Sequence, residues 1–323
     1  MTHPSAPAAP EVVVMGRVGA DLYPNELRRP LAEVRTFTRF AGGFAANVAT
    51  GLARLGVRAA VVSAVGADGH GAFIRSFLAG EGVDVRWLGT HPRLRTPLAF
   101  CEVWPPDRFP LTFYRDPSAP DWEIGPQDID LQVLSARMLV VSGTGLARGP
   151  SRRATLASLA GCEGIAVLDL DHRPVLWPVP GEYPEVVRRV VRMSDVVVGN
   201  EEEIAEATGE RDLESGIRAL LELGPGTVVA KLGEHGAVAV SGSERHEVDG
   251  MRSEVVNGLG AGDAFAAALC RGILRGDPLD VTLARANAAG AIVAGALACS
   301  EAMPSAEELD AFLHRHVAAG SAP

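Results

Sequence analysis

Glu254-Val255-Val256-Asn257-Gly258-Leu259-Gly260-Ala261-Gly262-Asp263-Ala264-Phe265 reads as a short strand, a glycine-rich loop and the first turn of a helix whose apolar positions continue at Leu269, Ile273 and Leu274. Glycines just ahead of a helix leave backbone N–H groups bare beside the positive end of the helix dipole, which suits a phosphate or a developing phosphoryl charge. Asp263 is out of place in such a cradle. A carboxylate there repels the anion unless it is needed to take a proton, and the plainer alternative is that it caps the helix.

The same strand, loop and helix order recurs along the chain. Val12 to Met15 ends at Gly16, Ala60 to Val65 at Gly66, Met138 to Val141 at Ser142-Gly143, Ile165 to Leu170 at Asp171, and Val196 to Val198 at Gly199-Asn200. Continuous Val/Ile/Leu runs bounded by glycine are what strands buried on both faces look like. Helical stretches lie between them: Asn47–Leu55 before Gly56, Phe73–Leu78 before Gly80, and Glu201–Thr208 before Gly209, each glycine placed for a left-handed C-cap. The pattern predicts an α/β fold of three layers, a mostly parallel central sheet with helices on both faces and ligands at the carboxyl ends of the strands.

Two segments break that rhythm, at about 17–40 and about 93–118. The second alternates through Leu98, Phe100 and Glu102, then Leu111, Phe113 and Arg115, around Pro105-Pro106-Asp107, which is hairpin chemistry. Together they predict a small β-flap, or lid, on one α/β domain spanning 11–319, after a disordered tail at 1–10. There is no internal repeat.

Composition narrows the function. The chain has 323 residues, 47% hydrophobic, with a net charge of −10, which disfavours nucleic acid or an anionic membrane as partner. Lys231 is the only lysine, so no Walker A loop exists. Cys101, Cys162, Cys270 and Cys299 form no C-x-x-C pair and read as buried free thiols. The small-apolar stretch from Ala288 to Cys299 is about 12 residues, short of the ~20 that span a bilayer, and residues 1–10 lack the marks of a signal peptide. A cytoplasmic protein is the expectation. Gly16-x-x-Gly19 is not the dinucleotide fingerprint, which disfavours a dehydrogenase.

Other candidates sit at strand ends. Asn200 and Glu203 lie on one face of a new helix and could order waters on Mg²⁺, the alternative being a solvated acidic first turn at Glu201-Glu202-Glu203. Lys231-Leu232-Gly233-Glu234-His235-Gly236 offers glycine backbone to a flat ring or a phosphate chain, or else is simply a tight hairpin. Asp21, with Gly42-Gly43 ahead of a helix carrying Asn47, suits a polyol.

In order and spacing, Gly42-Gly43 with Asn47, Gly66 with Asp68 and Gly71, Asn200 with Glu203, Lys231 with Gly233 and Gly236, and Gly260-Ala261-Gly262-Asp263 resemble the ribokinase-like, phosphofructokinase-B-type sugar kinases over residues 12 to 315. Longer words, among them Asp21-Leu22-Tyr23-Pro24, Phe113-Tyr114-Arg115 and Leu168-Asp169-Leu170-Asp171-His172-Arg173-Pro174, are similar to its 5-dehydro-2-deoxygluconokinase branch, which serves myo-inositol catabolism. The resemblance implies a ribokinase-like fold and transfer of the ATP γ-phosphoryl to a primary hydroxyl. Asp263 would be the base, with the Gly260, Ala261, Gly262 and Asp263 amides around the phosphoryl. It implies Asp21, Gly43 and Asn47 at the sugar, and Asn200, Lys231, Gly233, Gly236 and Asn287 at the nucleotide. Glu203 and Asn200 would act on Mg²⁺ through water, a monovalent cation such as K⁺ would sit near the loop, and a homodimer would form through the lid. Two departures stand out. Asn257-Gly258 replaces the Asp-Thr of many members, removing a carboxylate from the cation site, and the apolar Phe44-Ala45-Ala46 points to a changed sugar contact.

Arg17, Arg115 and Arg173 fall at strand ends or on the flap, and a guanidinium fits a carboxylate in a two-bond fork. They point to a sugar acid, most of all 5-dehydro-2-deoxygluconate; surface or salt-bridging arginines are the alternative. A 2-keto-3-deoxygluconate kinase, a neutral-sugar kinase for fructose or ribose, and a sugar- or nucleotide-binding regulator without turnover remain the rival readings.

Overall fold

Apolar strand runs form the centre of the molecule, and their register shows why they carry no polar alternation. In a computed structural model describing residues 9–251 and 253–320, the elements in chain order are β1 (Val12–Met15), β2 (Gly19–Pro24), β3 (Phe37–Gly42), α1 (Phe44–Arg54), β4 (Ala59–Gly66), α2 (Gly69–Gly80), β5 (Leu88–His91), β6 (Leu98–Cys101), β7 (Leu111–Tyr114), α3 (Leu131–Leu134) and β8 (Met138–Ser142). Then come α4 (Gly149–Gly161), β9 (Ile165–Asp169), α5 (Tyr183–Val191), β10 (Val196–Asn200), α6 (Glu201–Thr208), α7 (Leu213–Glu222), β11 (Thr227–Lys231), β12 (Ala237–Ser241), β13 (Glu244–Val248), α8 (Ala261–Arg275), α9 (Leu279–Ala294) and α10 (Ala306–Gly320).

Nine strands form one sheet in the order β13-β12-β11-β10-β9-β8-β1-β4-β5. All its pairings from β11 to β5 are parallel, while β12 and β13 run antiparallel at one edge. Side chains alternate between faces: Val13, Leu139 and Leu168 pack under α4 to α7, whereas Val12, Val14, Val61 and Val140 pack under α1, α2 and α8. Both faces are covered, so the strands need no polar side.

The second sheet, β3-β2-β6-β7, is the lid. Its strands β2 and β6 are parallel, and the β6–β7 hairpin closes with Trp104 and Arg108 exchanging backbone hydrogen bonds around Pro105-Pro106-Asp107. Tyr23, Phe40, Cys101 and Val103 join Cys299 in a small apolar cluster with Phe109 and Leu259, which ties the lid to the loop before α8.

Several expectations need correction. Glu254-Val255-Val256 is not a strand: the N–H groups of Val256 and Asn257 both go to the Ala294 carbonyl at the end of α9, so no ladder forms. Gly80 is the last residue of α2, and the left-handed conformation falls at Gly82 (φ +80°). Phe44, Ala45 and Ala46 are fully buried under the sheet, so their apolar character belongs to the core. Cys162 is only half buried, although all four thiols are free. Residues 1–8 of the expected tail lie outside the described residues; Pro10 is buried, and the Ala9 carbonyl accepts from Arg58 Nε at 3.2 Å.

Candidate active site

Helix α8 starts from Gly260, whose φ of +80° suits glycine and where a Cβ would come within 2.7 Å of the Cys299 Cβ. Ala261, Gly262 and Asp263 therefore form the first turn, with their N–H groups unclaimed by a side-chain cap. This overturns the capping alternative for Asp263, which lies three residues beyond the N-cap. Its carboxylate instead accepts from Asn47 Nδ2 at 2.6 Å, across from α1. Burial raises the Asp263 pKa to about 6, with the Asp171 charge adding to the rise against the Asn47 bond and the positive charges of Arg17 and Lys231. Such a carboxylate is ionised at neutral pH and more basic than an ordinary one.

Asn47 is held from its other end by the Ser300 hydroxyl, which donates to Oδ1. Gly43, the α1 N-cap, has φ +92°, and a Cβ there would lie 2.6 Å from the Arg17 carbonyl, so the chain can pass that loop only as glycine. Beside it Asp21 accepts from Tyr23 Oη at 3.0 Å; burial raises its pKa to about 6, with Arg17 opposing. Asn47 is thus brought directly to Asp263. Asp21 is tied to the pocket through Arg17, whose charge reaches Asp21, Asp171 and Asp263.

A buried charge cluster fills the strand ends behind Asp263. Lys231, the last residue of β11, places Nζ 3.1 Å from Asp169 Oδ2 and 3.8 Å from Glu203 Oε2. Desolvation would lower the Lys231 pKa, but Asp169 and Glu203 overcome it and hold the ammonium above its ordinary range. Asp169 is pushed up, chiefly by burial and also by Glu203, Asp171 and Asp263 around it. Asp171 accepts from Thr144 Oγ1 at 2.6 Å and pairs with Arg173 Nε at 3.3 Å. Burial pushes it up, yet Arg173, Arg17 and the Thr144 hydroxyl bring it below the usual carboxylate range. Its φ of +29° is rare for a residue with a Cβ, and strain of this kind gathers at functional sites.

The solvated first turn considered for Asn200 and Glu203 is also corrected. Glu201 and Glu202 are exposed, but Glu203 is buried and forms a capping box, accepting from the Asn200 N–H at 2.8 Å while Asn200 Oδ1 accepts from the Glu203 N–H at 2.8 Å. Its Oε1 has no partner in that box. No group of three or more His, Cys, Asp or Glu side chains able to hold a metal occurs among the described residues.

Next to α8 opens a cleft of about 870 Å³, lined by Lys231, Gly233, Gly236, Gly262 and Asn287, with Pro106 reaching in from the lid hairpin. The segment from Lys231 to Gly236 both turns the β11–β12 hairpin and walls the cleft. Asn287 Nδ2 is occupied by the Asp249 carbonyl at 2.7 Å, which fixes that wall. Asn200 does not line the cleft. Asn257, fully buried, donates to the Leu297 carbonyl at 2.8 Å and accepts from the Leu259 N–H at 3.1 Å, so it shapes the loop rather than facing a ligand.

The three arginines differ. Arg115 is buried, paired with Asp121 and stacked 4.0 Å over the Trp122 ring; Arg173 is the partner of Asp171. Arg17 lies 5.5 Å over the Phe113 ring, with a buried Nε that has no hydrogen-bond partner among the described residues. Asp169, Asp171 and Thr144 are site residues to which the sequence reading assigns no role. The signal was there: Asp169-Leu170-Asp171 closes a strand with two carboxylates in alternate positions, which turn to one side.

A mostly parallel α/β sheet with a β-lid, an open helix N-terminus and a basic carboxylate beside it is the architecture of a small-molecule phosphotransferase. The chain belongs to the pfkB family of carbohydrate kinases, whose profile matches residues 9–306. It is 35% identical over 316 residues to the 5-dehydro-2-deoxygluconokinase of Shouchella clausii, covering 95% of this chain and 97% of that one. The enzyme of the same name from Bacillus subtilis is 33% identical over 312 residues, covering 94% and 95%. Among solved structures, a PfkB protein from Polaromonas superposes with a TM-score of 0.83 at 27% identity, over 94% of this chain and all of that one. The Vibrio cholerae fructokinase with fructose, ADP and calcium bound gives 0.86 at 29%, over 95% and 100%.

Proposed function

We propose that the protein transfers the γ-phosphoryl of ATP to the primary hydroxyl of a keto-deoxy sugar acid, 5-dehydro-2-deoxygluconate. The observation that carries the reading is Asp263, a carboxylate with its pKa lifted to about 6 beside the open first turn of α8. Asp263 takes the proton of the hydroxyl as its oxygen attacks the γ-phosphorus, and the bond to the ADP oxygen breaks on the opposite side. The free N–H groups of Gly260 to Asp263 offset charge on the phosphoryl oxygens. Asn47 holds the base in place. Gly43 and Asp21 flank the sugar, while Lys231, Gly233, Gly236 and Asn287 flank the nucleotide.

Mg²⁺ would neutralise phosphate charge. With no protein cage among the described residues, it fits a site made mainly of phosphate and water, with Glu203 Oε1 and the Asn200 side chain ordering those waters. A fructokinase from Vibrio cholerae has been solved with fructose, ADP and potassium; here the Asn257 side chain is committed to its own loop, so K⁺ would rest on backbone carbonyls.

Support for an acid over a neutral sugar comes from the buried guanidinium Nε groups of Arg17, Arg115 and Arg148 that have no hydrogen-bond partner among the described residues, and from the names of the relatives. A cytoplasmic location accords with free thiols and ATP use, and no helix among the described residues is long and apolar enough to cross a membrane. Edge strands β3 and β7 would carry the homodimer contact. A coupled ADP-release assay over 5-dehydro-2-deoxygluconate, 2-keto-3-deoxygluconate, fructose and ribose tests the reading. Preference for the first supports it, preference for another reassigns the substrate, and no ADP release with any leaves a binding protein.

A further inference from the structure

Around the site, Arg17, Arg115 and Arg148 each keep a buried Nε–H with no hydrogen-bond partner among the described residues. A buried donor left unpaired is costly, and such groups are uncommon. Arg173 belongs to the phosphoryl end, since it pairs with Asp171 and feels Glu203, Asp263 and Asp169. The other three gather at Trp122. Arg115 lies 4.0 Å and Arg148 4.9 Å from the ring centroid, and Arg17 lines the same small cavity as Trp122 and Asp121. Arg115 is lowered by burial first, and the charges of Arg17 and Arg148 add to that shift.

At the Trp122 ring two guanidinium groups, Arg115 and Arg148, face one carboxylate. Asp121 is the carboxylate of this cluster, and it is committed to Arg115 and to the Val18 N–H at 3.3 Å. Arg148 forms no ion pair among the described residues; its contact is the Trp122 face. A stacked guanidinium is held in direction without being neutralised, and its planar fork matches the two oxygens of a carboxylate. Arg148 also occupies the N-cap of the thirteen-residue α4 without a side-chain cap, so the positive end of that helix adds to the same field.

We propose that Arg148 is a specificity-determining residue that, with Arg115 over Trp122 and with Arg17 beside that ring, seats the carboxylate of the sugar acid. The proposal rests on the sugar-acid reading above and adds a residue to it. Hydrogen bonds to charged groups account for roughly 10- to 100-fold in affinity. The test is the ratio of kcat/KM for 5-dehydro-2-deoxygluconate to that for fructose in wild type, Arg148→Gln and Arg148→Lys, each checked by far-ultraviolet circular dichroism. The expected result is a ratio lowered at least tenfold by glutamine, through KM for the acid, and partly restored by lysine, which keeps the charge and loses the fork. If glutamine prevents folding, a smaller fall in the lysine variant carries the same test. An unchanged ratio, or equal losses on both sugars, overturns the role of Arg148. A wild type that prefers fructose defeats the sugar-acid reading itself, an outcome visible before any variant is made.

Discussion

Replacing Asp263 by asparagine should separate catalysis from stability in opposite directions. The change keeps size and hydrogen-bonding capacity, and the new amide can still meet Asn47, now 2.6 Å from the carboxylate. It removes the proton acceptor, so kcat should fall by roughly 10²- to 10⁴-fold, the range of general-base catalysis. Stability should move the other way. In the fold the Asp263 pKa is raised from 3.8 to about 6, so above pH 6 the ionised form is held at a cost that the unfolded chain does not bear. At 1.36 kcal/mol per unit that cost has an upper bound of about 3 kcal/mol, and asparagine should recover about 1–3 kcal/mol at pH 7.5. The gain should shrink through pH 6 and vanish near pH 3, where the carboxyl is neutral in both states. Coupled ADP release gives the first quantity, urea melts at several pH values the second. Turnover within threefold of wild type would refute the base assignment, and a variant less stable at pH 7.5 would refute the account of the raised pKa.

The acidic limb of kcat/KM should lie near pH 6, with activity lost below it as Asp263 takes a proton; a limb near pH 4 would show that the free site does not hold it as described. Arg173→Leu leaves Asp171 without its 3.3 Å partner beside Asp263, so that limb should move to higher pH, read from pH–rate profiles. Glu203→Gln can keep the capping box at Asn200, so the protein should fold normally while needing more Mg²⁺ for half-maximal rate; excess EDTA should stop turnover without lowering the melting temperature. Lys231→Met strands the buried Asp169 and Glu203 and should destabilise by about 3–5 kcal/mol, with Lys231→Met/Asp169→Asn recovering part of it in urea melts.

The parallel body of the sheet could be read from the chain because its strands are buried on both faces, a condition that imprints itself on local composition. Glu254-Val255-Val256 had the same local pattern for a different reason: Val255 lines the cleft, so apolar character there serves a pocket wall and not a ladder. Parallel pairing of β2 with β6 brings together segments 78 residues apart (Ala20 with Leu98), and nothing in either strand specifies it. Likewise Phe44 follows a glycine pair that could open a ligand loop, and only packing shows that it faces Gly16 and the core.

Charge partners were the least legible part of the site, since a side chain's type shows its sign and not its neighbour. Arg115 and Arg173 look alike in sequence, each following a strand, yet one is locked to Asp121 over Trp122 and the other to Asp171. The consequence is a division of charge between two neighbouring clusters. Asp263, Asp171, Asp169 and Glu203 concentrate negative charge at the strand ends, where Lys231 and Arg173 hold them. Around Trp122 the sign reverses, with Arg17, Arg115 and Arg148 against Asp121. Arg17 links the halves, because its charge reaches Asp263 and Asp21 as well as Arg115. A substrate with a hydroxyl at one end and an anion at the other would be aligned by that gradient before any specific contact forms, whereas a neutral sugar would feel no such preference.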